Sequence, residues 1–182
     1  MMYEKILDLF KEKKVVLEDG LTSAEVVEIE RIYGIVFPKS LQDFLMTVLP
    51  VSQGFYNWRN KEQANVELIK SVINQPIRYI DENPEEIYWC EDWGKEPEDS
   101  TVFKNEVKKR LKSAPKVMPV FSHRYMPTTD EENPPVLSIQ GSDVIYMGED
   151  IEDYFNVEFG AKKQNEIDFL KINPIAFWSD LM

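Results

Sequence analysis

Residues 20–45 read GLTSAEVVEIERIYGIVFPKSLQDFL, and this stretch decides the fold class. Thr22 is a good helix N-cap. Glu25, three residues on, completes a capping box, T-S-A-E, in which each side chain satisfies a backbone N–H of the other. Val26, Ile29 and Tyr33 follow at helical spacing. Gly34 suits the left-handed position that ends helices. The link Ile35-Val36-Phe37-Pro38 is short and extended, because Pro38 disfavours helix at Phe37. A further helix begins near Pro38, which a first turn tolerates. Leu41, Phe44, Leu45, Val48 and Leu49 then lie at i, i+3, i+4, i+7 and i+8, the strongest helical signal in the chain, running toward Pro50.

Working outward, Ile6, Leu7 and Phe10 form one stripe and predict a short helix over 3–13. Residues 51–61 are polar and aromatic together, a loop or short strand. A helix is expected over 62–74, ending before Pro76. IYWCEDW (87–93) is aromatic and part-alternating, as a strand would be. Residues 101–113 return to helix. VMPVFS (117–122), PVLSIQ (135–140) and DVIYMG (143–148) read as strands, with Gly141–Ser142 as a tight turn. Asp150 caps a final helix through Phe159. Phe169, Leu170, Phe177 and Trp178 predict that the tail, 161–182, docks on the body. Helices first and strands later, without β-α alternation, indicate α+β: helices packed on one mixed, largely antiparallel sheet. A length of 182 residues suits one domain over 1–182.

Charge narrows the function classes. The chain holds 21 Lys and Arg against 33 Asp and Glu, a net of −12. Residues 81–100 carry nine acids and one lysine; residues 104–116 carry six bases and one acid; residues 125–157 carry eight acids and no base. Nucleic-acid backbones and anionic lipid are excluded as partners by sign. One His and one Cys exclude two-His metal motifs and Cys-rich zinc sites. No apolar run reaches membrane-spanning length, and the N-terminus is charged throughout, so a cytoplasmic location is expected.

The stretch 20–45 resembles the helix–Gly–strand–Pro–helix signature of the SUKH superfamily, which contains fungal cell-wall-synthesis regulators and bacterial immunity proteins. The matching residues are Leu21, Thr22, Glu25, Ile29, Gly34, Pro38, Phe44 and Leu45. The segments PVFSHRYMP (119–127), NPPVLSI (133–139), DVIYMG (143–148) and DYF (153–155) are similar to the second half of bacterial members, so the likeness covers about 20–160. The chain departs from many members in reading Leu49-Pro50-Val51 where they carry Asn-Gly. The resemblance implies an α+β fold and non-enzymatic work. Bacterial relatives occlude a cognate toxin domain, often a nuclease or deaminase; fungal relatives bind cellular proteins as regulators or scaffolds.

His123 as a general base needs an oriented partner and a nucleophile; a structural hydrogen bond is the simpler role. Arg124 is expected to pair with a carboxylate. Cys90 lies between Trp89 and Glu91, where neighbouring acids disfavour a reactive thiolate. The sequence Glu149-Asp150-Ile151-Glu152-Asp153 lacks calcium-loop spacing. No catalytic residue, metal or cofactor is therefore expected. Aromatics beside polar or acidic residues fit the composition of interface hot spots. The expected partner-binding residues are Tyr56, Trp58, Arg59, Tyr88, Glu91, Asp92, Trp93, Glu149 and Asp150, meeting a basic toxin domain. Strand alternation would instead turn Trp89 inward and leave Tyr88 exposed.

Overall fold

The computed structural model describes residues 3–182. Its elements are α1 (Glu4–Glu12), β1 (Leu17–Asp19), α2 (Ser23–Tyr33), α3 (Lys39–Thr47), β2 (Val48–Pro50), α4 (Gln63–Glu82), α5 (Ser100–Leu111), β3 (Val117–Phe121), β4 (Arg124–Pro127), β5 (Val136–Gln140), β6 (Asp143–Gly148) and α6 (Ile151–Glu158). Short 3-10 turns occupy Pro84–Glu86, Glu91–Trp93, Gln164–Glu166, Phe169–Lys171 and Ser179–Leu181. The architecture is α+β.

The sheet differs in detail from the expected one. It is four-stranded and antiparallel throughout, in the order β3-β4-β5-β6, and β1 with β2 forms a separate antiparallel pair. The residues after α3 leave the helix at Val48, because Val48–Pro50 pairs with Leu17–Asp19. Strand β4 covers Arg124–Pro127, a segment whose apolar content is too short to announce a strand.

Both faces of the four-stranded sheet are covered. Met118, Met126, Val136 and Met147 point into a core built with α1, α2, α3 and α6. Val117, Tyr125, Leu137, Ile139 and Val144 point the other way, into a core with α5 and the tail residues Ile175, Phe177 and Trp178. Helix α4 feeds both, giving Ile69 and Ile73 to the first and Ile80 to the second. Successive strand residues thus serve opposite cores, which is why these strands read as continuous apolar runs. The first core is ring-rich: Phe10 lies edge-on to Phe44 and Phe155, at 6.2 and 5.0 Å between centroids.

Three local features follow from particular residues. The capping box of α2 forms as expected, and Gly34 ends the helix with φ 63°. Helix α4 runs through Pro76 instead of stopping before it. Proline cannot bond the carbonyl four residues back; that carbonyl, on Val72, accepts a hydrogen bond from the Tyr125 hydroxyl at 3.4 Å. Gly148 ends β6 where a Cβ would stand 2.4 Å from the backbone nitrogen of Tyr154, so its missing side chain lets α6 close onto the strand.

Candidate partner-binding surface

The segment expected to be a strand at 87–93 is instead irregular and ends in the 3-10 turn Glu91–Trp93. Its rings fold it onto neighbours: Trp89 stands 5.3 Å from both Trp93 and Phe103, and its Nε1 donates to the Gly94 carbonyl at 2.8 Å. Aromatic content here reports side-chain packing, not ladder pairing. Tyr88 is left 90% exposed, and Glu91 and Asp92 are exposed beside it. Trp93 is half-buried. It stacks on Phe177 at 6.1 Å, lies under the Arg110 guanidinium at 4.8 Å, and donates from Nε1 to Asp180 at 2.9 Å.

The 51–61 segment is a loop, and it turns inward. Trp58 is only 3% exposed, held edge-on between Phe37 and Tyr33, and it is no surface residue. The half-buried Tyr56 donates its hydroxyl to the Ser122 carbonyl at 2.6 Å, and burial pushes that hydroxyl up to about 12. Arg59 is consumed within the fold. Its Nε donates to Glu25 at 2.7 Å, one Nη to Glu18 at 2.9 Å, and the other Nη to the Asp19 and Gly20 carbonyls at 3.0 and 3.2 Å. Three expected interface residues are thus structural, because a Trp and an Arg beside a capped helix find partners there before any ligand arrives.

Glu149 and Asp150 are also committed. Asp150 caps α6 by accepting from the Asp153 N–H at 2.8 Å. Glu149 accepts from the Asp168 N–H at 3.0 Å and pairs with Lys162 at 3.4 Å and Lys171 at 3.6 Å. That N–H, then the two lysines, hold its carboxyl below the ordinary range. Lys162 also meets Asp153 at 2.6 Å. Neutralisation recurs in the other acidic stretch, where Asp81 pairs with Lys108 at 3.4 Å and Glu85 with Lys104 at 3.2 Å. The basic run of α5 therefore answers part of the acidic run before it.

What remains exposed lies in two places, each in contact with the tail. The tail joins the two acidic stretches: Trp93 reaches Asp180 and Phe177, and the Tyr146 hydroxyl on β6 lies 2.5 Å from Ser179 Oγ. Between β6 and the tail opens a groove of about 500 Å³ whose lining includes Asp143, Ile145, Tyr146, Phe169, Leu181 and Met182. Ile145 is 39%, Met182 49% and the neighbouring Leu170 98% exposed. Phe169 is exposed as well, so two of the four apolar tail residues expected to dock do not, whereas Phe177 and Trp178 are buried. Phe169 and Leu170 share a 3-10 turn capped by Asp168, flanked by the buried Ile167 and Ile172, which take the inward positions. Of the groove residues only Phe169 stood out in the sequence, and it was expected to dock with Leu170; Ile145, Leu181 and Met182 gave no such signal.

His123 and Arg124 sit where β3 turns into β4. His123 Nδ1 is 3.2 Å from Ser122 Oγ, and burial, then the Arg124 charge, hold the imidazole below its usual range. Arg124 donates to Glu158 at 3.3 Å and to Ser138 Oγ at 2.9 Å. Cys90 is half-buried. Among the described residues, no group of three or more His, Cys, Asp or Glu side chains is placed to hold a metal, and no helix is long and apolar enough to cross a membrane. Comparison with known proteins finds no family model, no curated protein and no solved structure that matches the chain.

Proposed function

We propose that the chain is a non-enzymatic protein-binding module of the immunity type, related to the SUKH superfamily it resembles, which occludes a basic toxin domain of the nuclease or deaminase class in the bacterial cytoplasm. The observation that carries the reading is the exposure of acids beside exposed apolar side chains: Glu91 and Asp92 with Tyr88 in one segment, and Asp143 with Ile145 and Met182 at the groove. A domain that cleaves or edits nucleic acid must be cationic to hold its substrate. A net charge of −12 attracts such a surface over distance and speeds encounter. Once docked, exposed aromatic and aliphatic side chains set the off-rate by excluding water. Occlusion of the substrate channel then suffices; no bond is made or broken.

The test is co-expression with basic toxin domains encoded beside its gene, followed by binding of the purified pair at rising salt. Protection of the host and an association rate that falls steeply with ionic strength support the function. Failure to protect against any such domain, or binding indifferent to salt, removes it.

A further inference from the structure

We propose that two copies of this chain pair about a two-fold axis at the groove between β6 and the tail, each copy seating its Leu170 in the groove of the other. Ten large apolar side chains are exposed among the described residues. Three of them, Ile145, Phe169 and Met182, line this groove, and a fourth, Leu170, adjoins Phe169 in the chain. Apolar residues scattered singly over a surface need no partner, whereas a gathered group marks a contact. The turn that carries Leu170 is held from several sides. Asp168 Oδ1 accepts from the Leu170 N–H at 3.3 Å, and Glu149 accepts from the Asp168 N–H at 3.0 Å. The buried Ile167 and Ile172 anchor its two ends. Leu170 is therefore presented on a fixed support, and little ordering cost is left for association.

Shape and charge select a second copy as the occupant. In a two-fold pair each surface meets its own copy, so a protrusion must lie beside a matching recess. Leu170 and the groove supply both on one stretch of surface. Opposite charges flank them. Asp143 lines the groove at the start of β6, and Lys163 precedes Gln164, which lines it as well. Both are exposed, and among the described residues neither makes an ion pair within the chain. Two-fold symmetry sets the Asp143 of one copy against the Lys163 of the other, twice over. Two molecules of net charge −12 repel, and the repulsion is least where lysines gather. Residues 161–171 hold three lysines and two acids, whereas 81–100 hold nine acids and one lysine. A basic partner is drawn to the second tract. The groove then goes to the second copy and leaves Tyr88, Glu91 and Asp92 for the partner proposed above; dimerisation does not require that function. A contact of this size sits at the low end of specific interfaces, so the dimer forms as concentration rises.

The test is sedimentation equilibrium of the full chain from about 1 to about 300 μM, a range that spans weak dimers. The mass rises from one chain toward two. Leu170→Asp weakens the dimer by at least about tenfold. Because Leu170 is 98% exposed, the variant keeps its thermal midpoint. Asp143→Lys and Lys163→Asp each weaken the dimer by about fivefold, and the two together restore it, since the reversed charges again face one another. A single mass at every concentration, a dimer indifferent to Leu170→Asp, or a double reversal no better than the single ones overturns the proposal. Toxin neutralisation lost by Leu170→Asp, in a chain whose mass never doubles, assigns the groove to the toxin partner and overturns it as well. The mass is read without a partner, so failure of the toxin test leaves the dimer standing, and failure of the dimer leaves the function standing.

Discussion

Replacing Arg59 with Met separates a structural clamp from a binding residue. The guanidinium makes charge-assisted bonds to Glu25 at 2.7 Å and Glu18 at 2.9 Å, and it pins the loop around Trp58 to the start of α2. Shielded bonds of this kind contribute about 1.5–3 kcal/mol each. Arg59 and Glu25 are 31% and 28% exposed, so water screens the pair and the whole clamp is worth about 1–2 kcal/mol. The same contacts act on protonation. The Arg59 bond first, then the Thr22 N–H and hydroxyl, hold the Glu25 carboxyl at about 2 instead of 4.5. A carboxyl depressed in the folded state stabilises fully above its unfolded value and loses that contribution as pH falls through its folded value. For Glu25 the loss runs from about 4.5 down to about 2.

Urea unfolding followed by tryptophan fluorescence at neutral pH and at stepped acid pH measures both effects, with nuclear magnetic resonance titration of Glu25 alongside. Arg59→Met lowers neutral-pH stability by about 1–2 kcal/mol. It also raises the Glu25 midpoint and flattens the acid limb of the stability profile. Partner binding by the folded variant is unchanged. A variant with unchanged stability, an unmoved Glu25 and lost partner binding refutes the clamp and returns Arg59 to the interface.

Trp178→Ala, removing a fully buried ring whose Nε1 donates to the Pro115 carbonyl at 2.9 Å, costs about 3–5 kcal/mol in urea denaturation read by circular dichroism; a smaller loss means the tail is not part of the core. Gly148→Ala forces α6 back from β6, lowers stability by about 1–3 kcal/mol and lowers the thermal midpoint accordingly. The pair Glu91→Lys and Asp92→Lys slows association with a basic partner by about tenfold at low salt, measured by stopped flow, and leaves thermal stability unchanged. Equal rates would place the steering charge elsewhere.

Several elements were legible because their causes are local. Thr22 with Glu25 capped α2, Gly34 ended it, Gly141–Ser142 turned the last hairpin and Asp150 opened α6, each through contacts within a few residues. Errors arose where a distant group answered a local signal. Pro76 did not stop α4, because Tyr125 takes the carbonyl it frees. The aromatic run 87–93 did not become a strand, because Phe103 and Phe177 offered its rings a place to pack. The candidate site fared likewise: Trp58, Arg59 and Glu149 had partners far along the chain, whereas Ile145 and Met182 stay exposed.

Sequence by itself determined the fold class, the sign of the molecule's field and the residues able to cap, turn and fill a core, since those depend on composition and short-range spacing. Tertiary structure alone decided which charges find partners and which rings reach the surface. Those properties depend on what lies across space from each group, and pairing over tens of residues cannot be read from neighbours along the chain.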